Sequence, residues 1–155
     1  MLPRTYETQV CSIARSLEVL GDRWTLLVVR DAFLGVRRFE DFQRTLGVAR
    51  NVLTDRLNRL VEEDILRRVP YHERPVRFEY RLTEKGFDLW PVMMTLLQWG
   101  DRYYLDSGGA PLVVRHRECG GQLTPHLTCD KCGAELGPRD VVTEPSPGAA
   151  VRAAA

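Results

Sequence analysis

From Glu7 to Leu20 the apolar residues Val10, Ile13, Ala14, Leu17 and Leu20 recur at helical spacing, and Gly21 suits a C-terminal cap. Asp22 offers a side-chain oxygen to cap a second helix, in which Trp24, Leu27, Val28 and Phe33 point inward until Gly35 stops it. Phe39, Phe42 and Leu46 then mark a short amphipathic helix ended by Gly47. A longer stripe follows in Val52, Leu53, Leu57, Leu60 and Val61, which leaves Arg50, Asn51, Thr54, Asp55, Asn58 and Arg59 off the apolar face. A short helix, a glycine turn and a longer polar-faced helix make the outline of a helix-turn-helix.

The period then changes from helical to alternating. Ile65 to Val69 reads as a strand, and Val76, Phe78, Tyr80 and Leu82 alternate with Arg77, Glu79 and Arg81, one face buried and the other charged. Between them Tyr71 to Pro75 is a polar turn whose Arg74 projects towards a phosphate or a minor groove. A hairpin in this position turns the motif into a winged helix. Thr83 caps a further helix, and Pro91 bends or restarts it. Its later residues Trp90, Val92, Met93, Leu96, Leu97, Trp99, Tyr103 and Tyr104 are apolar around most of its circumference. Such a helix needs a second cover, either a second copy of the chain meeting it together with helix one, or the C-terminal tail.

The expected class is therefore α+β: a winged helix-turn-helix with dimerising N- and C-terminal helices and a small zinc-ribbon-like hairpin. Its expected divisions are 7–106 for DNA binding and dimerisation, 107–143 for linker and extension, and 144–155 for a disordered tail without periodicity.

Composition adds two constraints. At 155 residues there is room for one domain with a core and a small appendage, and the net charge of +1 carries no information as a total. Between Arg37 and Arg81, however, eleven Arg and no Lys stand against eight Asp or Glu. Guanidinium groups fork onto phosphates and guanine edges, although a solvated, charge-balanced surface also uses them. No apolar run is long enough for a membrane span and the N-terminus lacks an export signal's apolar core, so the cytoplasm is the expected compartment.

Four cysteines carry the remaining chemistry. His116-Arg-Glu-Cys119-Gly and Cys129-Asp-Lys-Cys132-Gly form two knuckle-like turns around an expected hairpin. Four such donors suit a structural, tetrahedral zinc, with His126 as a substitute for His116 and a metal-free hairpin as the alternative. Cys11 stands apart, either a small core residue beside Val10 and Ala14 or a thiolate favoured by a cation such as Arg15. Nothing pairs a nucleophile with a base, and a closed zinc site has no open position for water, so no enzyme is expected.

Together these residues resemble the HxlR family of bacterial transcriptional regulators. The resemblance runs from Cys11 to Tyr104 and rests on Leu20-Gly-Asp-Arg-Trp-Thr-Leu-Leu27, Arg38-Phe39, Leu46-Gly47, Asn51-Val-Leu-Thr-Asp-Arg-Leu57, Arg74-Pro75, Glu79-Tyr80 and Leu82-Thr-Glu-Lys-Gly86. It implies a homodimeric winged-helix regulator, most often a repressor, that binds double-stranded DNA at an inverted repeat. Arg38, Arg50, Asn51, Thr54, Asp55, Asn58 and Arg59 are then candidates at the groove, with Arg74 and Arg77 on the wing. It also implies an oxidant or small-molecule effector, with Cys11 as the redox-sensing candidate. Two positions depart from the family pattern: Asp64 where Gly often ends the recognition helix, and Ala49 where a capping Ser is frequent. The competing function is a winged-helix and zinc-ribbon module that docks on the transcription machinery.

Overall fold

The structure, a computed structural model, describes residue 6 and residues 11–105, 107–124, 126–142 and 144. Two compact units divide the chain, Met1–Trp99 and Gly100–Ala155. In order, the elements are α1 (Ser12–Leu20), α2 (Thr25–Phe33), α3 (Phe39–Leu46), α4 (Arg50–Glu62), β1 (Leu66–Glu73), β2 (Val76–Leu82), α5 (Glu84–Phe87), α6 (Trp90–Tyr103), β3 (Leu127–Thr128) and β4 (Glu135–Leu136). Among the described residues no helix is long and apolar enough to cross a membrane.

The core of the first unit is filled from the predicted stripes. Val28, Val29 and Ala32 of α2 meet Phe42 of α3, Leu53, Leu57 and Leu60 of α4, and Ile65, Leu66 and Leu82 at the base of the hairpin. Gly47 ends α3 at φ +62 and Val48 plugs the turn into the core, so α3 and α4 leave the turn with their apolar stripes already facing inward. A buried carboxylate also ties the scaffold. Asp31 on α2 accepts the Thr45 hydroxyl of α3 at 2.6 Å and the Arg30 Nε at 2.8 Å, so its charge is paired where water does not reach it.

Several expectations are corrected. Asp22 does not cap α2: Trp24 is the N-cap residue without a side-chain bond, and the Asp22 carboxylate instead binds Arg56. The strand after α4 runs to Glu73 instead of stopping at Val69, because only Arg74 and Pro75 are needed to turn the chain back. A bulge at Tyr71 shifts the register between Pro70↔Phe78 and His72↔Arg77. The alternation on β2 buries Leu82 at its base but leaves Phe78 and Val76 exposed, since among the described residues no layer covers the tip of the ribbon. Residues 7–10, where helix one was expected to begin, and the tail beyond 144 lie outside the described residues.

The two departures from the family pattern are visible in the backbone. Asp64 adopts the left-handed conformation, φ +56, immediately after α4. Ala49 sits at the N-cap of α4 without a side-chain bond. Just past the base of the hairpin the Thr83 hydroxyl caps α5 by accepting from the Gly86 amide at 3.1 Å. Pro91 is the second residue of α6, where its missing N–H costs the helix nothing.

Candidate nucleic-acid interface

Burial of Leu53, Leu57 and Leu60 fixes the rotation of α4. With 3.6 residues per turn, the direction opposite those three belongs to Asn51, Asp55, Asn58 and Glu62, while Arg50 and Thr54 lie on one flank and Arg59 on the other. Asn51, Asp55, Asn58 and Arg59 thus share the solvent half of the helix, Thr54 stands at its border, and Arg50 is exposed because it is the first residue of α4. Asn51 is exposed in the first turn, where its amide is free to approach an adenine edge. Asp55 is an acceptor only, suited to a cytosine amino group and repelled by phosphate.

The flanking side chains are already engaged. Arg50 stacks over the Phe39 ring, 4.6 Å from its centroid, which ties the start of α4 to the start of α3. Thr54 donates its hydroxyl to the Arg50 carbonyl at 2.8 Å, and Arg59 pairs with Glu63 one turn on at 3.0 Å. These contacts are exposed, so they are weak enough to exchange for a phosphate.

The wing is joined to α4 through a residue outside the expected set. Arg68 on β1 donates to the Asn58 side-chain oxygen and lies over the Tyr80 ring, 5.9 Å from its centroid. Strand alternation held the signal, because Arg68 shares a hairpin face with Leu66, the face that turns towards α4. The bond occupies the Asn58 oxygen and leaves its amino group to donate outward.

Arg37 and Arg38 lie along the free edge of β2 and meet it in an isolated bridge. The Tyr80 amide donates to the Arg37 carbonyl at 2.7 Å, and Arg38 bridges Glu79 in antiparallel register. Arg38 also stands 4.4 Å from the Tyr71 ring centroid, with its Nε 3.7 Å from Glu79 Oε1. Tyr71, whose ring lies beneath Arg38, is also the bulged residue, which the sequence pattern did not reveal. At the tip, Arg74 and Arg77 are exposed, and His72 Nδ1 lies 2.9 Å from the Pro75 carbonyl across the turn, a loop contact that involves no reactive centre.

Cys11 is not the core residue that one reading of the sequence allowed. It is exposed, in extended conformation, at the N-cap of α1, and its carbonyl accepts the Arg15 amide at 3.1 Å. In the C-terminal unit His116 Nδ1 lies 3.1 Å from Cys119 Sγ. The Cys132 amide, then the Lys131 amide and the Cys132 side chain, direct hydrogen bonds at the Cys129 sulfur and hold its thiol below the usual cysteine range, with burial opposing. His126 is drawn to Glu135, Nδ1 to Oε2 at 3.1 Å. Among the described residues no three His, Cys, Asp or Glu side chains are gathered into one metal-holding set.

Known proteins share this architecture. Uncharacterised HTH-type transcriptional regulators of Mycobacterium tuberculosis and Mycobacterium bovis are 49% identical over 137 residues, covering 88% of this chain and 87% of theirs. That span is too long to stop before Cys129 and Cys132. The crystal structure of PA1607, assigned as a transcription factor, superposes with a TM-score of 0.81 at 35% identity, over 91% of this chain and 99% of its own. The redox regulator HypR in its reduced form matches with a TM-score of 0.56 at 30% identity, over 59% of this chain and 92% of its own. The HxlR-like helix-turn-helix family matches residues 19–107, from the end of α1 through α6. With the helix-turn-helix, its wing and this match together, the chain belongs to the HxlR-like family of DNA-binding transcriptional regulators.

Proposed function

We propose that the protein acts in the cytoplasm as a homodimeric repressor, with α1 and α6 forming the dimer and α4 entering the major groove of an inverted-repeat operator. The observation that carries this reading is α6. Its segment Trp90–Trp99 is largely apolar, yet none of α6 is buried: Val92 is 48% exposed and Leu96 45%. On α1 Ile13 is 71% exposed and Leu17 46%. So much exposed apolar area on two helices that also touch the core, through Val19, Leu20 and Met93, is a surface awaiting a like surface.

In such a dimer Asn51, Asp55 and Asn58 read bases, while Arg38, Arg50, Thr54, Arg59, Arg74 and Arg77 serve phosphates or the adjacent minor groove. Cys11, exposed at the start of α1, lies at the edge of the same apolar helix. Oxidation there would act on the interface that spaces the two recognition helices, in keeping with a redox regulator among the structural relatives. The relatives are transcriptional regulators, which favours operator binding over docking on the polymerase.

The test is size-exclusion chromatography with light scattering, followed by footprinting on DNA upstream of the protein's own gene, with and without oxidant. A dimer protecting two half-sites whose centres are about 34–36 Å apart is expected. A monomer, or equal affinity for random DNA at physiological salt, would overturn the proposal.

A further inference from the structure

The C-terminal unit contains the same turn built twice. Residues 115–122 and 128–135 superimpose in pattern at an offset of thirteen positions. Arg115 bridges Gln122 just as Thr128 pairs with Glu135. The His116 amide donates to the Gly121 carbonyl at 2.8 Å, and the Cys129 amide to the Ala134 carbonyl at 2.9 Å. Within each turn the glycine amide closes back on the first donor residue, Gly120 to the His116 carbonyl at 2.8 Å and Gly133 to the Cys129 carbonyl at 2.9 Å. Both glycines are left-handed, at φ +72 and +71.

The equivalent positions of these turns carry the metal-binding side chains: His116 matches Cys129 and Cys119 matches Cys132. Such duplication has no packing explanation in the turns themselves, since Cys119 and Cys132 are exposed and the strands beside the second turn are two residues long. A hairpin this small does not hold its shape without a further tie. Within each turn the paired side chains are arranged for one, although among the described residues no three donors are gathered, so the two turns have to close together on the ion. Zinc bonds of about 2.3 Å to sulfur and 2.0–2.1 Å to nitrogen define a tetrahedral edge of about 3.5 Å, and the 3.1 Å between His116 Nδ1 and Cys119 Sγ needs only a small opening to reach it. In the second turn the Lys131 and Cys132 amides already face the Cys129 sulfur, the arrangement that supports a metal-bound thiolate.

We propose that His116, Cys119, Cys129 and Cys132 close around one zinc ion as a structural Cys3His site, each turn supplying one pair of ligands. Coordination converts three thiols to thiolates and releases their protons to solvent. With four protein ligands the site has no position left for a substrate, so its role is to lock the two turns together. His126 lies outside both repeated turns, with its Nδ1 3.1 Å from Glu135 Oε2, and is left out of the set because His116 occupies the position that matches Cys129.

The full-length protein, purified under reducing conditions, is analysed for zinc and then titrated with cobalt(II), whose visible absorption reports tetrahedral thiolate coordination. About one metal per chain is expected, falling to near zero in the double variant Cys129→Ser with Cys132→Ser. His116→Cys should keep full stoichiometry with a spectrum moved towards four-thiolate coordination, and His126→Ala should leave metal binding unchanged. Absence of stoichiometric metal and of the cobalt band in the unmodified chain would overturn the site. So would loss of binding in His126→Ala with retention in His116→Ala. Neither result depends on operator binding.

Discussion

Arg56 of the recognition helix reaches back across the domain to Asp22, Nη1 to Oδ2 at 2.6 Å, and so holds the turn between α1 and α2 against α4. One of the arginines in the basic middle of the chain is therefore part of the scaffold. Its side chain is 26% exposed and that of Asp22 52%, so the ion pair itself contributes no more than about 1 kcal/mol. Arg56→Ala should lower the melting temperature by a few degrees, roughly 1 kcal/mol, including the packing of its stem. The salt dependence of DNA affinity should not change, because a guanidinium turned back onto Asp22 neutralises no phosphate. A double-mutant cycle with Asp22→Ala checks the pairing, and a coupling energy of zero would mean that the two charges do not stabilise each other.

Gly86 is fixed by contact instead of by backbone conformation. A Cβ at this position would stand 2.3 Å from the Ile65 carbonyl oxygen and 2.9 Å from Leu82 Cδ2. The first of these is backbone and cannot swing aside. Gly86→Ala should cost about 1–3 kcal/mol by overpacking the junction between the hairpin base and α5. Urea denaturation measures it, and a change below about 0.5 kcal/mol would mean that the junction relaxes freely.

The sequence carried the helices and the turn of the motif because those depend on local spacing: Phe39, Phe42 and Leu46, then Leu53, Leu57 and Leu60, need only a period of 3.6 to declare a buried face. It carried the left-handed position of Asp64 through comparison with a family pattern. What stayed hidden depends on register between distant segments. The Tyr71 bulge, the bond from Arg68 to Asn58, the bond from the Tyr80 amide to the Arg37 carbonyl and the Asp31 to Thr45 tie each join residues whose partners no local pattern names. The same limit explains Asp22, which looked like a cap because the chain nearby offered one, while its partner lay on α4. In the C-terminal unit the two knuckles were legible as spacing, but their identical backbone bonding was not.

Position on α4 and the wing separates two kinds of binding defect. Asn51→Ala removes a side chain aimed outward from the first turn and should weaken operator binding by about 1–3 kcal/mol while leaving random DNA nearly unaffected. Arg74→Ala and Arg77→Ala should weaken all sequences alike. Each should also reduce the slope of log affinity against log salt by about 0.9 for every phosphate no longer neutralised, doubled in a symmetric dimer. Fluorescence anisotropy at several salt concentrations distinguishes them. An Asn51→Ala protein with unchanged preference for its operator would take that residue out of base recognition.

The apolar faces of α1 and α6 supply the sharpest contrast between a surface and an interface. Ile13 at 71% and Leu96 at 45% exposure would tolerate a charge within about 0.5 kcal/mol if they faced only water. Placed at a two-fold contact, each substitution enters twice, and an unpaired carboxylate buried there costs several kcal/mol per copy. Ile13→Asp and Leu96→Asp should therefore turn a dimer into a folded monomer. Operator affinity should fall by orders of magnitude, since a single half-site presents too few base contacts, while circular dichroism keeps its helical signal. Light scattering at a series of concentrations reads the outcome directly. If both variants kept the mass of the unmodified protein, the interface would have to lie elsewhere, and the spacing of the two recognition helices would no longer be set by α1 and α6.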